Sequence, residues 1–185
     1  PQINPLHEFT VDKHLIECVL NAQQFTRRVS RPDLLLLACL FHDIGKGSVG
    51  DHSKVGAEIV VAVMSRMGYP QLDIRTVELL VLHHLLLADT ATRRDLEDPA
   101  VISELCQKLD NEMVIELLHY LSIADSRATG PSLRSQWRET LIGDAALKAL
   151  SMMSGQVVLQ SAREFDMSGL HPDQDGLIFD SSSHD

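Results

Sequence analysis

Leu34-Leu-Leu-Leu-Ala-Cys-Leu-Phe-His-Asp-Ile-Gly-Lys-Gly47 is an apolar run that ends abruptly in a histidine and a carboxylate. The run predicts a core helix of a helical domain, and its last turn then carries His42 and Asp43 to the interior. Both groups are costly to bury without a partner. A divalent metal would be such a partner, provided other parts of the chain bring further ligands. The run is far shorter than the roughly 20 residues that span a bilayer.

The 185 residues suffice for one domain with a substantial core. Hydrophobic residues make up 44% and aromatics only 4%, a bias that favours packed helices over a sheet sandwich. The net charge of -10 argues against general attraction to a nucleic-acid polymer or an anionic membrane. An anionic substrate therefore needs a local cationic site. Residues 151–185 hold six acids against one arginine, half of the net charge, so the helical body is only mildly acidic. Cys18, Cys39 and Cys106 are odd in number and form no CxxC pair. They point to a reducing, cytoplasmic compartment and away from a disulfide framework or zinc ribbon. Cys39 and Cys106 read as small core residues. No signal-peptide pattern opens the chain, which begins with Pro1, as a piece of a longer protein would.

Residues 1–9 read as an extended lead-in. Thr10 suits an N-cap, and Val11, Leu15, Cys18, Ala22 and Phe25 recur at helical spacing to about Arg28. A second helix starts at Ser30-Arg-Pro32-Asp and stops at Gly45 or Gly47. A third opens at Gly50-Asp-His-Ser53 and ends at Gly68-Tyr-Pro70. Asp73 caps a fourth, Ile74 to about Leu87, with His83-His84 near its end. Residues 88–98 read as a polar connection. Asp98-Pro99 starts a fifth helix, to about Leu109. Asn111 caps a sixth, apolar on several sides and so central and buried, which reaches Asp125. A seventh runs from about Ser132 to Leu150. No period-two strand pattern of useful length is found. The expected architecture is an all-α bundle of about seven helices in residues 1–150 with a metal site in its interior. A C-terminal extension, 151–185, follows, with one short helix over Gln156–Phe165 and then a mobile tail.

Residues suited to metals sit at helix ends. His14 is in the first helix, His42 and Asp43 end the second, and His52 opens the third. His83 and His84 lie late in the fourth and Asp125 late in the sixth. Side chains of facing helices can converge on one interior point. Imidazole with carboxylate suits Mn, Fe, Zn or Co, and two ions about 3.5–4 Å apart are a standard arrangement for phosphoester hydrolysis. Each residue also has a plainer reading. His83 and His84 are about 100° apart around a helix, so one is expected to be a ligand, and His83 is preferred. His52 and Asp51 can be helix-capping residues, and Asp51 can instead hold a ligand histidine. His14 alone would pass for a half-buried histidine, as would His7, His119, His171 and His184 for ordinary ones. Asp125 interrupts an apolar helix and calls for a partner. Lys46 is either a cation at a helix C-terminus or a neutraliser of substrate phosphate.

The set His14, His42-Asp43, His52, His83-His84 and Asp125, with His-Asp-Ile-Gly-Lys46 at its centre, resembles the HD superfamily of metal-dependent phosphohydrolases. Phe41-His-Asp-Ile-Gly-Lys-Gly47, Gly50-Asp-His-Ser53, His83 through Pro99, Ala124-Asp-Ser-Arg-Ala-Thr-Gly-Pro131 and Trp137 narrow the likeness. So does Leu6-His-Glu-Phe-Thr-Val-Asp-Lys-His14. Together they resemble the HD domain of bifunctional uridylyltransferase/uridylyl-removing enzymes, over roughly residues 5 to 150. That resemblance implies hydrolysis of a nucleotidylated PII signalling protein, releasing UMP, or AMP in some relatives. A homo-oligomer is compatible with it. Gly47-Ser48 is not followed by the paired Asp-x-Asp of a nucleotidyltransferase, so attachment of nucleotide is not expected of this chain.

The resemblance implies one or two divalent ions (Mn, Fe, Mg, Zn or Co). His14, His42, Asp43 and Asp125 would hold one, and Asp43 would bridge to a second held by His52 and by His83 or His84. Asp43 and Lys46 are the expected catalytic residues, and Arg93, Arg94 and Arg127 the expected phosphate ligands. Two rival readings stay open from the residues alone. One is the same chemistry on another phosphoester, such as a cyclic dinucleotide or guanosine polyphosphate. The other is a regulatory module that binds metal or nucleotide with little turnover.

Overall fold

Residues 10–129 and 136–155, with the short segments 171–173 and 176–178, are described by a computed structural model. Eight α-helices are found among them: α1 Val11–Ala22, α2 Pro32–Phe41, α3 His52–Arg66, α4 Gln71–Leu82, α5 Leu86–Arg93, α6 Pro99–Leu109, α7 Glu112–Ala128 and α8 Gln136–Met153. The body is all-α, as the aliphatic composition predicts. His171–Asp173 and Gly176–Ile178 pair as antiparallel strands β1 and β2. A three-residue ladder is too short to leave a period-two signal, which is why the sequence reading finds no strand. The expected lead-in over 1–9 and the short helix over Gln156–Phe165 lie outside the described residues.

Local chemistry sets four of the eight helix starts. Asp51 Oδ1 accepts from the Ser53 N–H at 3.0 Å, Asp98 Oδ1 from Ala100 at 2.9 Å and Asn111 Oδ1 from Val114 at 3.0 Å. Each satisfies an N–H that the first helical turn leaves open. Asp51 is thus a cap. Pro32 and Pro99 occupy first turns, where their missing N–H costs nothing. Asp73 does not cap α4, which begins two residues earlier. It accepts both guanidinium N–H groups of Arg31, at 2.8 and 2.9 Å, and ties the start of α2 to α4.

α7 is the central helix. Ten of its residues are buried, and it packs against α1, α2, α4 and α8. α1 stops at Ala22 and continues as a 3-10 turn, Gln23–Phe25, rather than running to Arg28. The larger difference lies at 83–98. α4 stops at Leu82, His83 takes φ -112° and ψ 18°, and a new helix, α5, begins at Leu86. Polar composition suggests a connection there. Leu87, Ala88, Thr90 and Ala91 are nevertheless buried on one face, and these mostly small residues let α5 pack closely on α8.

The two glycines after His42-Asp43 have different jobs. Gly47 takes φ 93°, a conformation open to glycine at little cost. Gly45 is needed for close approach. A Cβ there would lie 2.1 Å from the His52 carbonyl oxygen and 2.7 Å from the Gly56 nitrogen. The turn after α2 therefore presses directly on the first turn of α3, which sets His52 beside Asp43. Among the described residues no helix is long and apolar enough to cross a membrane.

Candidate metal centre

α2 ends at Phe41, and His42 caps it. Asp43 follows in a tight turn closed by the Lys46 N–H to Asp43 C=O bond of 2.9 Å. His14, His42, Asp43 and His84 are each no more than 2% exposed. Four ionisable groups at that depth require mutual compensation.

The ring orientations are fixed from behind. His42 Nδ1 lies 3.0 Å from the Cys39 carbonyl oxygen, and His84 Nδ1 lies 2.8 Å from that of Val81. His14 Nδ1 faces the Ala128 carbonyl at 3.4 Å. A carbonyl oxygen only accepts, so each Nδ1 carries the proton and each Nε2 is left for the shared interior. Backing of a ring by a carbonyl in this way is typical of ligand histidines.

The Nε2 atoms converge on Asp43 from two sides. On one, His14 Nε2 and His42 Nε2 are 3.1 Å apart, and Asp125 Oδ1 lies 3.0 and 3.4 Å from them. Asp43 Oδ2 lies 3.6 Å from the first ring and 3.4 Å from the second. On the other side, Asp43 Oδ1 faces His52 Nε2 at 3.7 Å and His84 Nε2 at 3.6 Å. Separations near 3 Å suit neighbouring donors on one ion bound at about 2.0–2.2 Å. The residues also fit a cation by another measure. Asp43 Oδ1 and His52 Nε2 are buried without a hydrogen-bond partner among the described residues, and a metal between them would satisfy both. The cluster can hold a divalent metal.

Electrostatics show that a positive charge belongs there. Burial alone would lower the pKa of His42, yet the carboxylates of Asp125 and Asp43 outweigh it and raise it to about 10. Burial would raise Asp43, but His42 and Lys46 hold its carboxyl well below the usual range. Asp125 is likewise held low against burial by His42 and His14. Burial, with His42 nearby, lowers His84 to about 4. Without metal, a proton on His42 serves as the cation of the cluster.

His14, His42, Asp43, His52, His84 and Asp125 are thus brought together, and His83 is not. Because α4 ends at Leu82, the change of direction at His83 turns His84 inward, which reverses the sequence preference for His83. Lys46 reaches the cluster and ion-pairs with Asp43 Oδ2. The three arginines expected at phosphate lie elsewhere. Arg127 gives two N–H bonds to Glu139, at 2.8 and 2.7 Å, and lies over the Phe25 ring. Arg93 pairs with Asp89 and Arg94 with Glu104, on the wall of a different cavity. They stand there because α5 replaces the expected loop. Arg138, Ser122 and Asp89 line the cavity over the cluster instead. No local signal marks Arg138, since a single arginine early in an amphipathic helix reads as solvated.

The family model of the HD domain matches residues 11–130. The chain is 49% identical over 156 residues to the bifunctional uridylyltransferase/uridylyl-removing enzyme of Streptomyces coelicolor, covering 84% of this chain and 19% of that protein. To the enzyme of the same name from Mycobacterium tuberculosis it is 45% identical over 162 residues, covering 87% of this chain and 20% of that protein. To that of Nitrosococcus oceani it is 38% identical over 156 residues, covering 76% and 18%. The chain spans about a fifth of the length of these curated relatives.

Proposed function

This chain belongs to the HD domain family, and from that premise we propose that it is a metal-dependent phosphodiesterase that releases UMP or AMP from a nucleotidylated PII signalling protein in the cytoplasm. The observation that carries the reading is Asp43, whose two carboxylate oxygens face two separate ligand groups. The uridylyl-removing relatives, similar over most of this chain, support the nucleotide substrate.

His14, His42, Asp43 and Asp125 would hold one ion, and Asp43, His52 and His84 a second, with Mn, Fe, Mg, Zn or Co as candidates. Divalent ions there supply Lewis acidity, which stabilises phosphoryl charge and makes water a competent nucleophile near neutral pH. The chain's own part is to orient and to balance charge. The backbone carbonyls behind His14, His42 and His84 hold each Nε2 toward the reaction centre. Lys46, beside Asp43, is placed to neutralise a phosphoryl oxygen. In the overall reaction on the tyrosine of PII that the resemblance implies is modified, water oxygen bonds to phosphorus, the bond from phosphorus to the tyrosine oxygen breaks, and a water proton passes to that oxygen. The tyrosine leaves readily enough, because its phenol has a pKa of about 10. Residues 1–150 form the hydrolase unit in this reading.

Incubation of the purified chain with nucleotidylated PII and Mn tests it. Release of UMP or AMP is the expected result. Hydrolysis of free nucleotides alone, or bound metal without turnover, would overturn the PII assignment.

A further inference from the structure

The cavity over the metal cluster has a volume of about 270 Å³ and two cations on its wall, Lys46 and Arg138. They come from different elements, the turn after α2 and the start of α8. Lys46 is already in contact with Asp43 Oδ2, so part of its charge is committed. Arginine presents a planar fork matched to phosphate oxygens, which lysine does not. A second feature points the same way. Ser122 lines the cavity, is 3% exposed, and its Oγ is buried without a hydrogen-bond partner among the described residues. Ser122 precedes Asp125 and Ser126 by three and four residues on α7, so all three share a helix face, and all three line the cavity. A buried hydroxyl donor without an acceptor is costly, and an anionic oxygen in the cavity would relieve that cost.

We propose that Arg138 and Ser122 form a phosphoryl subsite above the metal cluster, binding oxygens of the phosphate group that Lys46 does not reach. The proposal rests on the phosphohydrolase reading above but not on PII as the substrate. It assigns the role expected of Arg93, Arg94 and Arg127 to an arginine on a different helix. It also predicts that metal and phosphate support each other's binding. The carboxylates of Asp43, Asp89 and Asp125 offset the cations on the cavity wall. A divalent metal in the cluster adds positive charge and strengthens phosphate binding.

Inorganic phosphate is the probe, titrated calorimetrically into the Mn-loaded chain and into the metal-free chain. Trp137, the only tryptophan, adjoins Arg138 and gives an independent fluorescence readout. Loaded protein should bind phosphate more tightly than metal-free protein. Loss of the charged hydrogen bonds in Arg138→Gln should weaken binding at least about tenfold with metal content unchanged. Ser122→Ala should weaken it about threefold or more. Arg94→Gln, on the other cavity, should leave it unaltered. Phosphate affinity of Arg138→Gln within twofold of the parent, or an equal loss in Arg94→Gln, overturns the subsite. If Arg138→Gln fails to fold, Arg138→Lys decides. It keeps the charge without the fork and should bind phosphate about three- to fivefold more weakly, and an unchanged affinity refutes the proposal. Failure to release nucleotide from PII would leave these results standing, and the reverse also holds.

Discussion

Metal uptake at pH 7 should release the proton that His42 carries. In the metal-free protein the His42 pKa is raised to about 10, so at pH 7 nearly every chain carries the extra proton. Asp43 and Asp125 are held well below the usual carboxylate range and are already ionised. His84, at about 4, is already neutral. His42 must lose its proton before its Nε2 can act as a ligand. Three pH units separate 7 from 10, so this competition should weaken apparent affinity by about three powers of ten at pH 7. Affinity should rise about tenfold per pH unit between 7 and 9. Calorimetric titration with Mn in two buffers of different ionisation enthalpy measures the proton count directly. No proton released, together with an affinity independent of pH, would refute the reasoning. It would mean either that His42 is neutral before binding or that the ion avoids the His14–His42 side.

The same linkage predicts stability. The proton on His42 stabilises the metal-free fold fully below pH 6.5, and that contribution is lost as pH rises through about 10. The melting temperature of metal-free protein should therefore fall over that window, and that of loaded protein should fall less. His84→Ala should bind metal at least about tenfold more weakly and lose hydrolysis in proportion, whereas His83→Ala should stay within about twofold of the parent, as read by metal affinity and initial rate. Gly45→Ala places a methyl against the His52 and Gly56 backbone; it should destabilise by about 2 kcal/mol or more, seen by denaturant titration, and reduce metal content. Glu139→Gln breaks the pair with Arg127 and should cost about 1 kcal/mol with turnover per folded chain unchanged; a large loss of turnover would return Arg127 to the site.

The parts of the site legible in the sequence are those where a polar group breaks an apolar pattern. His42-Asp43 after Leu34–Phe41, and Asp125 within α7, stand out because burial demands compensation. His14 and His52 gain meaning only beside them. The choice between His83 and His84 turned on where α4 stops, and Leu85-Leu86-Leu87 continues the apolar pattern past the true end. Residues 88–93 look polar, yet form a helix because small side chains fit against α8, which is a property of the partner and not of the segment. Arg138 is invisible for the same reason. Its place over the cluster depends on how α8 packs against α5 and α7.

The carbonyls behind the histidines carry a further meaning. Cys39 and Val81 lie in the last turns of α2 and α4, and Ala128 is the last residue of α7. The cluster thus sits where the C-terminal ends of three helices meet, and each end carries a macrodipole equivalent to about half a negative charge. The scaffold itself is therefore cation-seeking, before any carboxylate is counted. Replacing one ligand side chain should lower metal affinity without erasing it. Metal should also stabilise the fold beyond its bonds to side chains, because it relieves the mutual repulsion of three helix ends held together.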